Sequence, residues 1–146
     1  SRAIEAHYRK TPGGALLDIG AGTGVLSFVA VHSGAPRALG PAINPAALPA
    51  ADTNAALNGL SKSARFIHSS KRISGNFDLA VINIELRPLL QVLGSLPAAA
   101  RRVPKLYITG FLATQLADVT AAVKAAGFTP AQRQREGDWL LLKATR

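Results

Sequence analysis

Leu16-Leu17-Asp18-Ile19-Gly20-Ala21-Gly22-Thr23-Gly24-Val25-Leu26 decides the fold of this chain. It has the pattern of a short buried strand, a turn with three alternating glycines, and the opening of a helix. Glycine tolerates left-handed backbone angles and carries no side chain, so a ligand can lie against bare backbone there. The helix N-terminus behind it adds outward-pointing N–H groups. The spacing narrows the ligand. A dinucleotide fingerprint requires G-x-G-x-x-G, but here the glycines fall at 20, 22 and 24 and position 25 is valine. Asp18, two residues before the first glycine, offers a carboxylate to a cationic or hydroxylic group. Ala21 and Thr23 complete the cradle between the glycines.

Around this loop, apolar runs alternate with amphipathic ones, the pattern of an α/β fold with a mainly parallel sheet. Strands are predicted over Ala15–Ile19, Arg37–Leu39, Ala64–Ile67, Asp78–Ile82, Lys105–Thr109, Phe128–Arg133 and Trp139–Lys143. Helices are predicted over Val25–His32, Pro45–Asn58, Arg87–Ala100 and Ala113–Ala126. Gly34, Gly59 and Gly127 follow helical runs as stops. Pro45 suits a first helical position. Past Gly127, two extended runs flank Gln134-Arg135-Glu136-Gly137-Asp138, an antiparallel hairpin at the sheet edge.

The 146 residues form one domain-sized unit, with a lead-in over 1–13 and the main domain over 14–146. Hydrophobic residues make up 48% and charged residues 17%, which places the chain among globular proteins. No apolar run approaches the roughly 18 residues of a membrane span, and no signal-peptide order opens the chain. There are no cysteines, which removes disulfides and cysteine metal ligands. His7, His32 and His68 lack ligand spacing, so no metal is expected. A cytoplasmic location is the simplest expectation. The sequence holds no methionine, and Ser1 is read as the edge of a fragment. The net charge of +9 admits an acidic partner such as RNA. The basic residues, however, are scattered and lack interleaved aromatics, so a solvated basic surface is the favoured reading.

The D-x-G-x-G-x-G form resembles the cofactor loop of class I S-adenosylmethionine-dependent methyltransferases. Further segments narrow the resemblance: Asn54-Ala55-Ala56-Leu57-Asn58-Gly59, Ala80-Val81-Ile82-Asn83-Ile84, Pro88-Leu89, Ile108-Thr109-Gly110-Phe111-Leu112 with Gln115, and Glu136-Gly137-Asp138-Trp139. In this order they resemble the catalytic domain of the ribosomal protein L-eleven methyltransferase family. The resemblance implies a Rossmann-like, seven-stranded sheet, mostly parallel with a C-terminal antiparallel hairpin. It also implies S-adenosylmethionine as cofactor and a protein amine, a ribosomal protein among the candidates, as methyl acceptor. Carried over, Asp18, Gly20, Gly22 and Gly24 meet the cofactor, and Asn83 borders both cofactor and reaction site. Methyl transfer from a sulfonium needs chiefly an aligned amine with a free lone pair, which an asparagine amide can orient.

The chain departs from the family pattern at several places. Ala42 stands where the family carries an acid that grips the ribose hydroxyls, and no Asp or Glu occurs between Asp18 and Asp52; Asn44 is the nearest polar substitute. The adenine segment, Phe66-Ile67-His68-Ser69-Ser70, offers Ser69 or Ser70 but no carboxylate, and His68 is read as a strand-end residue. The family's N-terminal recognition domain has no counterpart before Gly14 beyond a short helical lead-in. Glu85, where the family has an apolar residue, either draws and deprotonates a cationic amine or faces solvent in the first helical turn. Two other readings stay open at this point: a degenerate domain serving as a binding module, and an RNA methyltransferase.

Overall fold

The computed structural model describes residues 1–146, apart from the side chain of Glu136. Two compact units divide the chain, residues 1–78 and 79–146.

In the first unit, helix α1 (Arg2–Lys10) precedes strand β1 (Leu16–Ile19) and helix α2 (Val25–Ser33). Strand β2 (Ala38–Ala42), helix α3 (Leu48–Leu57) and strand β3 (Ala64–His68) complete it. Strands β1 and β2 pair in parallel, and so do β2 and β3, with Ala38 opposite both Leu16 and Ala64. β1 is buried at all four positions, as a strand covered on both faces requires. The lead-in is helical, as expected, and it packs on α2 through a buried stripe of Ala3, Ile4, His7 and Tyr8. Its polar atoms are also tied down. His7 Nε2 lies 2.7 Å from Asp78 Oδ2, and the Tyr8 hydroxyl donates to Asp78 Oδ1 at 3.0 Å. Gly14 fits beneath this group because a Cβ there would land on the Asp78 carboxyl.

The second unit runs β4 (Leu79–Asn83), α4 (Leu86–Gly94), α5 (Ala98–Arg101), β5 (Lys105–Leu112), α6 (Leu116–Ala125), β6 (Thr129–Glu136) and β7 (Trp139–Thr145). β4 pairs in parallel with β5, while β7 runs antiparallel to both β5 and β6. Leu79, Val81, Ile82, Leu89, Leu106, Ile108 and Phe111 are fully buried and form much of its core. The strand order is β3-β2-β1-β4-β5-β7-β6, a seven-stranded α/β sheet, mostly parallel with an antiparallel C-terminal end.

Several boundaries differ from the sequence reading. β2 runs on through Gly40 and Pro41 to Ala42, because Pro41 has no N–H to place and its carbonyl accepts the Gly20 N–H at 3.0 Å. The helix expected over 87–100 breaks after Gly94 into α4 and α5, with Pro97 capping the second piece. The third helix begins as a 3-10 turn, Pro45–Ala47, ahead of α3. The hairpin closes on Gly137 and Asp138 alone, since Glu136 and Trp139 are already paired.

Candidate active site

The glycine loop joins β1 to α2, as its sequence dictates. All three glycines have positive φ: 76° at Gly20, 57° at Gly22 and 91° at Gly24, the last capping α2. They serve different ends. A Cβ at Gly24 would meet Phe66 at 2.7 Å and Phe28 at 2.8 Å, so this glycine lets the helix start sit close to the sheet. A Cβ at Gly22 would meet nothing within 4 Å, so the loop's outer backbone is open to an approaching group. The loop is fixed from behind. Gly20 N–H donates to the Pro41 carbonyl, Gly24 N–H to the Ala21 carbonyl at 2.9 Å, and Asn54 Nδ2 on α3 to the Thr23 carbonyl at 3.1 Å.

Asp18 is 1% exposed, and its Oδ2 accepts from the Ser27 hydroxyl at 2.7 Å. Burial raises its pKa from the ordinary 3.8 to about 6, against the opposing pull of the Ser27 hydroxyl and N–H. Its carboxylate therefore serves the third residue of α2, anchoring the helix that carries the loop, and does not face solvent.

At the C-terminal rim of β2, Ala42 is 5% exposed and presents only a methyl group. Asn44 is exposed, and its Oδ1 caps the 3-10 turn by accepting from Ala46 N–H at 3.1 Å. At the end of β3, His68, Ser69 and Ser70 are exposed. Ser70 turns back on His68, with its Oγ 2.7 Å and its N–H nitrogen 3.1 Å from His68 Nδ1. Of the two serines read as adenine contacts, Ser70 is thus engaged locally.

In the second unit, Asn83 and Glu85 line one open cavity of about 400 Å³, together with Ile84, Thr109, Gly110 and Trp139. Asn83 is the exposed last residue of β4 and is registered with Thr109 on β5. Gly110, at φ 91°, lies in a register shift of β5, where a Cβ would meet the Ile84 carbonyl at 2.6 Å. Glu85 caps α4 through its backbone, and its exposed side chain makes no capping bond. Trp139, 53% exposed, contributes an indole wall. The sequence reading named Asn83 and Glu85 but gave Thr109, Gly110 and Trp139 no role. Glycine inside a strand pattern was the available signal for a bulge. Gln115, also quoted only as pattern, accepts the Leu112 N–H at 2.8 Å and shapes the turn after β5. Among the described residues, no cluster of three or more His, Cys, Asp or Glu side chains could hold a metal ion.

The family model described as ribosomal protein L11 methyltransferase (PrmA) matches residues 2–146. The chain belongs to this family. It is 31% identical over 144 residues to the ribosomal protein L11 methyltransferase of Myxococcus xanthus, covering 99% of this chain and 49% of that protein. Against the Thermus thermophilus protein of the same name, identity is 35% over 144 residues, covering 97% of this chain and 55% of the relative. The chain thus spans about half the length of the curated PrmA relatives it matches. A crystal structure of ribosomal protein L11 methylase from Lactobacillus delbrueckii subsp. bulgaricus superposes with a TM-score of 0.84 at 26% identity, covering 99% of this chain and 78% of that one. TrmK of M. capricolum, solved with S-adenosyl-homocysteine, gives a TM-score of 0.76 at 16% identity, covering 99% of this chain and 68% of that one. That likeness concerns the fold alone. PrmA membership bears out the family resemblance and the fold class drawn from the glycine loop and the segments downstream of it.

Proposed function

We propose that this chain binds S-adenosylmethionine at its glycine loop and transfers the methyl group to an amine of a ribosomal protein, L11 being the first candidate. The observation that carries this reading is the family match over residues 2–146, with an open-edged glycine loop at the β1–α2 turn.

The residues present fit the amino-acid end of that cofactor. Open backbone at Gly22 stands ahead of the N-terminus of α2, where partial positive charge from unpaired N–H groups suits a carboxylate. The nucleoside end departs from the family pattern at Ala42 and in the carboxylate-free segment Phe66–Ser70. When bound, S-adenosylmethionine supplies a methyl group on a positively charged sulfur, open to attack by an amine lone pair.

The chain's own residues have separable tasks in this reading. Asp18 anchors the start of α2 through Ser27 and so fixes the loop backbone. The Asn83 amide orients the amine. Glu85 attracts it as an ammonium ion and accepts its proton, exposing the lone pair. Trp139 screens one side of the cavity from water. A cytoplasmic location, where ribosomal proteins are made and assembled, accords with this assignment. Among the described residues, no helix is long and apolar enough to cross a membrane.

Calorimetric titration with S-adenosylmethionine and S-adenosylhomocysteine tests the first step, and transfer of labelled methyl to purified L11 tests the second. Binding of both ligands with label in L11 is the expected result. No heat at millimolar ligand removes the enzymatic reading and leaves a binding module. Binding without label in L11 redirects the search to another acceptor.

A further inference from the structure

We propose that His68 replaces the missing carboxylate at Ala42 as the group that reads the ribose hydroxyls; this assignment rests on the glycine loop being the S-adenosylmethionine site.

The argument begins with the ladder between β2 and β3. In a parallel pair, registered residues project to the same face, and residues two apart along a strand share a face. Gly40 is registered with Phe66, and Ala42 with His68. A Cβ at Gly40 would meet the Phe66 ring at 2.6 Å and the Ala21 Cβ at 2.7 Å. Ala21 belongs to the glycine loop, so the loop lies over this face of β2. Ala42 and His68 lie on that face too, two residues nearer the C-terminal rim where α/β sheets bind ligands. The methyl of Ala42 cannot reach outward, whereas His68 is exposed. Asn44 lies beyond the last rung of the β2–β3 ladder, with its amide oxygen held by the Ala46 N–H in the following turn.

The imidazole is also set in one tautomer. A backbone N–H can only donate, so the Ser70 N–H at 3.1 Å makes His68 Nδ1 an acceptor. The Ser70 hydroxyl, 2.7 Å from the same atom, donates as well. The neutral ring therefore carries its hydrogen on Nε2, and that N–H is the group His68 offers to a ligand. A carboxylate at position 42 would accept from the hydroxyls; His68 donates to a hydroxyl oxygen. The recognition keeps its place and reverses its polarity.

The test compares S-adenosylhomocysteine with its 2′,3′-dideoxy analogue by calorimetry, using native protein, His68→Ala and His68→Gln. Loss of one neutral hydrogen bond weakens binding by about fivefold to tenfold. His68→Ala is expected to lose that much for S-adenosylhomocysteine and nothing for the dideoxy analogue, while His68→Gln, which keeps an N–H donor, recovers part of the loss. Adding Ala42→Asp to His68→Ala is expected to restore affinity for S-adenosylhomocysteine only. Equal affinities of native and His68→Ala protein for S-adenosylhomocysteine, or equal losses for both ligands, would overturn the assignment while leaving the proposed function standing. Failure of the native protein to bind S-adenosylhomocysteine at all would overturn both.

Discussion

The carboxylate of Asp18 and the hydroxyl of Ser27 form a buried hydrogen bond of 2.7 Å that ties the end of β1 to the first turn of α2. Both side chains are nearly inaccessible. The glycine loop spans the gap between these two anchors, so its shape is set by a buried contact.

That contact has a pH signature. Burial raises the Asp18 pKa from 3.8 to about 6, so the folded protein disfavours the charged form. Below pH 3.8 the group is protonated in both folded and unfolded chains and carries no penalty. As the pH rises from 3.8 to 6 the unfolded chain loses its proton first, and the penalty grows; above 6 it is constant, at about 3 kcal/mol. Asp18→Asn keeps an acceptor for Ser27 but cannot ionise. Urea denaturation at pH 4 and pH 7 is expected to show the native protein losing about 2–3 kcal/mol relative to the variant over that interval. Parallel pH courses would show that Asp18 is not desolvated.

Gly110 and Gly94 make a matched pair. Gly110 has φ 91° and no room beyond the Ile84 carbonyl, so Gly110→Ala is expected to destabilise by about 3 kcal/mol. Gly94 ends α4, and a Cβ there meets nothing within 4 Å. Gly94→Ala is expected to be neutral or to stabilise by up to about 1 kcal/mol. Thermal melts of the two variants check the contrast. Similar losses in both would deny the close approach of β5 to Ile84.

Under the proposed function, Glu85→Gln separates amine handling from cofactor binding. The variant keeps its shape but loses its charge and basicity. It should bind S-adenosylhomocysteine as the native protein does, while kcat for methyl transfer falls about 10²-fold at neutral pH. An unchanged kcat would return Glu85 to the status of a solvent-facing helix cap.

Tyr8→Phe removes the hydroxyl that donates to Asp78 without creating a cavity. A hydrogen bond to a charged acceptor contributes about 1.5–3 kcal/mol; with His7 still in place, a loss near the lower end is expected. The urea midpoint measures it, and no change would mean that His7 alone satisfies the carboxylate.

The legible parts of this fold were those governed by local pattern. The glycine loop, the mostly apolar runs of β1 and β4, and the glycine stops after α2 and α3 follow from period and backbone chemistry within a few residues. Less legible were features set by distant partners. Gly40-Pro41 argues against a strand locally, yet the Gly20 N–H and the β3 ladder hold it as one. The anchoring role of Asp18 was not legible because its partner, Ser27, lies a helix turn beyond the loop. In the same way, Thr109, Gly110 and Trp139 join Asn83 only through the β4–β5 and β5–β7 pairings. No spacing along the chain records those pairings.

The burial of α1 bears on how this protein can be cut and recombined. Removing the residues before Gly14 would strip Ile4 and Tyr8 from α2 and leave the Asp78 carboxyl beside a position where only glycine fits. A shortened chain taken from the glycine motif onward would inherit that exposed acid and an uncovered helix. Chimaeras with relatives should therefore join upstream of Arg2, with α1 travelling together with the glycine loop.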